Sequence, residues 1–193
     1  MPDFDADALA LAAREGLPPE LLVLRDQLPR ERWTALPEVA AFWLQMHASF
    51  RGHQAHMDGL VGQWRVDGDL GALHRQLIPA LQSFLQHLDG HHRVESGHYF
   101  PMMRGIEPRI GVGIDLLDRD HDAIHATLET LFRTGLAFHQ AVASTAPDAA
   151  DRAARLVDAL EANGRPLLRH LEDEEDIVIP LIALHADRFS EPG

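Results

Sequence analysis

The stretch Leu88-Asp89-Gly90-His91-His92-Arg93-Val94-Glu95-Ser96-Gly97-His98-Tyr99-Phe100-Pro101 decides the fold. It sets His91 and Glu95 four residues apart inside a helical pattern, and on a helix that spacing stacks an imidazole and a carboxylate on one face. The phrase returns in the second half of the chain, where His170-Leu171-Glu172-Asp173-Glu174-Glu175-Asp176-Ile177-Val178-Ile179-Pro180 again reads His, three residues, Glu, five residues, Pro. The repeat reads as a duplicated metal-binding helix.

Around both phrases apolar residues recur at three- and four-residue intervals. Leu77, Leu81, Phe84, Leu85 and Leu88 form the apolar side of a helix from about Leu70 toward Phe100, in which Pro79 implies a kink or a late start. Upstream, Trp43, Met46, Phe50, Met57, Val61 and Trp64 mark a helix from Glu38 to about Val66, and Asp67-Gly68-Asp69 is the turn between the two. The breaker-rich segment from Arg104 to Gly113 crosses an end of the domain. Leu117, Ile124, Leu128, Leu131 and Phe132 predict a third helix from about Ile114 to Val142, followed by a loop and cap over Ser144 to Asp148. A fourth helix then runs to about Leu184, interrupted at Gly164 and Pro166. No segment reads as a strand.

The expected fold is therefore all-α, an antiparallel up-down-up-down four-helix bundle over residues 36–190. Residues 1–35 form an N-terminal extension, helical or irregular, with a short helix over residues 3–15 ended by Pro18-Pro19. The extension carries no recognisable chemistry and is expected to pack across the outside or one end of the bundle.

The 193 residues suit one compact domain with a sizeable core. The absence of cysteine excludes disulfides, thiolate metal sites, iron–sulfur clusters and a Cys nucleophile, so any metal is held by nitrogen and oxygen. The net charge is -13 and every basic residue is Arg, which argues against nucleic acid and anionic membranes as partners. No apolar run is long enough to span a bilayer, and the start lacks the basic and apolar stretches of a signal peptide; a cytoplasmic protein is expected. The 13 His are spread from His47 to His185 rather than gathered in a terminal run.

Hairpin geometry supplies a test of level, because both helices of a hairpin rise equally per residue. Counted from the turn near residues 145 and 146, His121 and His170 lie equally far out. Counted from the turn near Asp67, His91 finds His47 at almost the same level, while His53 lies about two turns closer to the turn. His125 follows His121 by four residues on the same face. The two hairpins superpose to give a pseudo-twofold constellation of His47, His91, Glu95, His121, His125, His170 and Glu174. Five imidazoles and two carboxylates exceed the needs of one ion with an open position and suit two ions bridged by the carboxylates. His92 points about 100° away from His91 on a helix and reads as flanking rather than ligating.

The order His, His-x-x-x-Glu, His-x-x-x-His, His-x-x-x-Glu-Glu, with Pro after each Glu helix, resembles the hemerythrin-like (HHE cation-binding) proteins over roughly Leu36 to Leu184. That resemblance implies a non-haem di-iron centre, two irons with carboxylate and oxo or hydroxo bridges, in which Glu95 and Glu174 take the bridging positions. His53 rivals His47 as the first-helix ligand, and Glu175 is an alternative to Glu174 as the bridge.

A ferritin-like site needs Glu-x-x-His pairs with lone Glu ligands, a pattern this chain lacks. The imidazole-rich set leads to a protein that binds oxygen, nitric oxide or peroxide as its small partner. Trp43, Phe84, Leu117, Ile124, Phe132 and Ile177 are expected to wall the pocket, and His98 and Tyr99, one turn beyond Glu95, stand either as hydrogen-bond donors to a bound oxygen species or as packing residues behind the ligands. The alternatives are a di-iron enzyme that turns over peroxide or nitric oxide, an iron- or oxygen-responsive sensor, and a zinc-stabilised bundle. The redox partner is not specified by the residues, and either a monomer or a homodimer is compatible with them.

Overall fold

The computed structural model describes residues 9–189. Five α-helices are present among them: α1 over Glu38–Asp67, α2 over Leu70–Val94, α3 over Phe100–Ile106, α4 over Gly111–Ala143 and α5 over Ala149–Leu184. A π-helical turn, Glu95–Tyr99, joins α2 to α3, so the second long rod of the bundle runs to Ile106. The long helices α1, α2, α4 and α5 pack as a closed ring, each on the next and α5 back on α1. No strand occurs among the described residues.

Local chemistry sets the turns. Gly68 ends α1 at φ 69, where its N–H bonds the Trp64 carbonyl, and the Asp69 side chain accepts from Ala72 N–H to start α2. A left-handed residue at this position strongly favours Gly. Gly68→Ala is therefore expected to cost about 1 kcal/mol, which lowers Tm by about 2–4 °C in a chain of this size; thermal melts of the two proteins check it.

The prolines act differently from the expectation. Pro79 and Pro166 lie inside α2 and α5, and both helices continue through them, as α5 does through Gly164 and Pro180. An interior Pro costs about 3 kcal/mol. That cost is outweighed here because Leu160, Leu167 and Leu171 of α5, like Leu77 and Leu81 of α2, are fully or almost fully buried, at about 1.5–3 kcal/mol each. Pro101 does leave a mark: it has no N–H for the carbonyl of Gly97, and the π turn lies just before it, with Phe100 N–H bonding the Glu95 carbonyl. The start of α4 is also earlier than expected, because a 3₁₀ turn over Pro108–Ile110, capped by the Glu107 side chain, feeds directly into Gly111.

Two apolar clusters fill the ring. One includes Phe50, Leu88, Ile124 and Leu171, and the other includes Trp43, Phe100, Leu117 and Ile177. Between these layers each of the four rods carries a polar residue inward: His47, His91 with His92 and Glu95, His121, and His170 with Glu174. Phe132, expected to wall a pocket, is 61% exposed instead.

The described residues before α1 lie on this bundle. Leu9 to Arg14 make one turn, and the part of the expected helix before Leu9 lies outside the described residues. Leu21, Leu22 and Leu24 are buried, the latter two in the cluster that holds Trp43 and Ile177. No helix among the described residues is long and apolar enough to cross a membrane.

Candidate metal centre

The helix α2 lies between α1 and α4, so adjacent residues on it face two different neighbours. His91 meets α1, its ring 5.4 Å from that of His47. His92 meets α4, its ring stacked 4.1 Å from that of His121, which in turn lies 4.9 Å from the ring of His170. Two groups of ligand-type side chains result: His47, His91, Glu95 and Glu174 in one, and His92, His121 and His170 in the other, with atoms inside each group within 4.8 Å of one another.

Two carboxylates connect the groups. Glu95 sets Oε1 2.8 Å from His91 Nε2 and Oε2 3.5 Å from His121 Nε2. Glu174 sets Oε1 3.5 Å from His47 Nε2 and Oε2 3.3 Å from His170 Nε2. Each therefore turns one oxygen to each group, and both are buried.

An outer set of hydrogen bonds aims the imidazoles. His47 Nδ1 faces Glu175 Oε1 at 3.1 Å, and that carboxylate also accepts from Arg51 at 2.7 Å and Arg30 at 3.1 Å. His170 Nδ1 faces Asp120 Oδ2 at 3.4 Å. His121 Nδ1 meets the Ser96 hydroxyl at 2.8 Å, and that hydroxyl donates to Asp118 at 2.6 Å. In the neutral ring these partners hold the proton on Nδ1, so that Nε2 is the nitrogen that offers a lone pair to the centre. The Trp43 indole N–H donates to Glu174 Oε1 at 2.6 Å and holds that carboxylate in place.

His47, His91, Glu95, His121, His170 and Glu174 are thus brought together, while His125 is not. The His125 side chain is 37% exposed, with Nδ1 3.7 Å from Asp89, and its ring lies 5.6 Å behind that of His92. One helical turn carries it past the level of the centre, and His92 stands where it was expected. His53 is half-buried and turned away from the centre, and its Nδ1–H donates to the Ser49 carbonyl. Glu175 stands behind His47 rather than between the groups. His98 is exposed, its ring against Tyr99, and Tyr99 packs on Trp43.

The fit to cations rests on atoms that lack partners. Apart from Nε of Arg104 and Arg169, every buried side-chain nitrogen or oxygen without a hydrogen-bond partner among the described residues belongs to His47, His91, His92, Glu95, His121, His170 or Glu174. Leaving such a group unpaired costs about 1–3 kcal/mol, so seven residues cost on the order of 10 kcal/mol together. That is comparable with the 5–15 kcal/mol net stability typical of a domain. Cations at the centre remove the penalty.

Burial and mutual charge divide the titratable groups. Burial pulls the His47 imidazole down, but Glu174 and Glu175 outweigh it and raise it to about 9. His170 is likewise raised, by Asp120 and Glu174 against burial. Burial and neighbouring positive imidazoles lower His121 to about 3 and His92 well below its usual value; burial chiefly lowers His91 to about 4. Burial and the facing Glu174 raise Glu95 well above the carboxylate range, whereas His47 and His170 outweigh burial and hold Glu174 well below it.

Comparison with known proteins agrees with this geometry. Neither the curated proteins nor the solved structures hold a match to the chain. The model of the hemerythrin HHE cation-binding domain matches residues 38–182, which begin at the first residue of α1 and span all seven gathered side chains. With most of its length in that match and a buried His and Glu cluster inside it, the chain belongs to the hemerythrin HHE cation-binding domain family.

Proposed function

We propose that the seven residues hold two iron ions and that the centre binds a small ligand, oxygen or a relative such as nitric oxide or peroxide. The observation that carries this reading is the pair of buried carboxylates, Glu95 and Glu174, each with one oxygen toward each histidine group. Five imidazoles and two carboxylates, with no thiolate, form a nitrogen and oxygen set that suits iron. Two irons bound there would supply redox chemistry toward oxygen, nitric oxide or peroxide.

The protein's own groups prepare that site. Phe50 packs 4.9 Å from the His91 ring and Phe100 5.3 Å from the His121 ring, which excludes water from those flanks. On the α2 and α4 side a cleft of about 410 Å³ reaches His92 and His121 from solvent, past Ser96, Asp118 and His125. A small ligand can come as far as the His92 and His121 rings along that cleft.

Metal content of protein produced with added iron tests the proposal, together with the visible spectrum before and after reduction. About two irons per chain and an absorption that bleaches on reduction support it. One zinc, or no metal, overturns it. Peroxide added to the iron-loaded sample separates binding from turnover, and sustained consumption makes the protein an enzyme.

The protonation pattern predicts proton release. At pH 7 the metal-free chain holds a proton on His47, whose value is raised to about 9, while His91, His92, His121 and Glu174, all shifted down, are already deprotonated; Glu95 and His170 are shifted up. Ligands bind metal without such protons, so loading at pH 7 is expected to release protons, that of His47 among them. Apparent affinity then falls as pH is lowered, and release diminishes above about 9, where His47 is already neutral. A titration in weak buffer with a pH indicator checks both signs.

A further inference from the structure

The family match begins at residue 38, yet two arginines from before that point sit directly behind the centre. Arg14 is buried, and its guanidinium donates through Nη2 to Asp120 Oδ2 and through Nε to Asp173 at 2.7 Å. The same Asp120 oxygen faces His170 Nδ1. Arg30 donates through Nη1 to Glu175 Oε2 at 3.1 Å and through Nε to Asp176 at 2.6 Å, and Glu175 faces His47 Nδ1. On each half of the pseudo-twofold site the order is therefore arginine, carboxylate, histidine, centre. Buried Leu21, Leu22 and Leu24 anchor the chain between the two arginines, and Trp33 lies under the Arg30 guanidinium at 4.8 Å.

We propose that the segment from Arg14 to Trp33 is a strap whose arginines are positioning residues for His170 and His47, so that its docking sets how firmly the centre keeps its metal. This rests on the two-ion reading above. A carboxylate behind a metal-bound histidine fixes the ring and raises its basicity, and its loss typically costs 10–100-fold in affinity. A carboxylate buried as Asp120 is keeps its charge and its aim only beside a cation. Arg14 supplies that cation, and Asp173 has Arg169 as well. Glu175 keeps Arg51 when Arg30 is lost, so the two halves of the strap are unequal.

The test is removal of ferrous iron, loaded without air, by a coloured chelator. Arg14→Gln is expected to release iron about 10–100-fold more readily, and Arg30→Gln less than tenfold. Arg14→Lys recovers part of the loss. Glu15→Gln, which breaks only a surface pair between the strap and Arg165, leaves release unchanged. Because Arg14 acts through Asp120, adding Arg14→Gln to Asp120→Asn costs nothing further, whereas a purely structural arginine gives additive effects. Additive effects, or equal behaviour of Arg14→Gln and Glu15→Gln, overturn the proposal.

Hydrogen exchange on the unmodified protein covers the case in which Arg14→Gln does not fold. By reciprocity, iron loading slows exchange at the amides of Arg14 and Leu21 to Leu24 if the strap and the metal are coupled. Unchanged exchange there overturns the coupling. A parent protein that takes up no iron fails the two-ion reading before any variant is compared, and the strap proposal falls with it.

Discussion

Glu174→Gln is expected to strip the protein of both proposed ions, with far less than one metal per chain where two are proposed for the parent. Glutamine matches the shape of the side chain, but it replaces a charged carboxylate that turns one oxygen to His47 and one to His170 by one neutral oxygen and an amide that faces imidazole nitrogen. Glu174 Oε1 accepts from the indole of Trp43 and faces His47, and Oε2 faces His170 without a hydrogen-bond partner among the described residues. Removing one member of a buried charged set costs about 3–5 kcal/mol, which is roughly two to nearly four orders of magnitude in affinity. The thermal readout follows. Metal present at about a thousand times its dissociation constant stabilises by about 4 kcal/mol, so chelation is expected to lower the parent's Tm by about 8–16 °C. The variant should melt without response to chelator. Two metals retained in Glu174→Gln would remove this residue from the bridge.

His92→Ala and His125→Ala are expected to part company. His92 is buried, and neither of its ring nitrogens has a hydrogen-bond partner among the described residues. Its loss leaves His121 and His170 as the only imidazoles of their group, so metal content falls from about two per chain to about one. The ion kept is the one beside His47 and His91. His125→Ala trims a half-exposed ring at the mouth of the cleft and is expected to keep both ions. Metal analysis of the purified variants decides between the two histidines. The reverse result would return His125 to the ligand set and make His92 a packing residue.

Much of the fold and most of the gathered side chains were legible in the residues. The 3.6-residue periodicity set the long helices, and Asp67-Gly68-Asp69 marked the first turn because a left-handed cap needs Gly. The repeated His-x-x-x-Glu phrase, with the equal rise of paired helices, placed His47, His91, Glu95, His121, His170 and Glu174 at one level. Periodicity and capping are local, and level depends only on distance along a hairpin.

The departures come from what lies across the bundle. The interruption expected at Gly164 and Pro166 does not occur, since buried leucines from neighbouring turns outweigh the lost hydrogen bond. His92 was set aside for pointing away from His91, a sound inference for a site seen from one side. The site is a layer shared by four helices, and α2, placed between α1 and α4, presents His91 to one and His92 to the other. The N-terminal arginines left no signal because Arg14 meets Asp120 and Asp173, and Arg30 meets Glu175, only after the chain folds back over residues far away in sequence. By itself the sequence determined four amphipathic helices and the level at which their polar residues meet, because periodicity and rise per residue are properties of a single helix. Which residue of an adjacent pair faces which neighbour, and what stands behind each histidine, were decided only by tertiary structure, because they depend on the rotation of each helix against its partners and on the path of the strap.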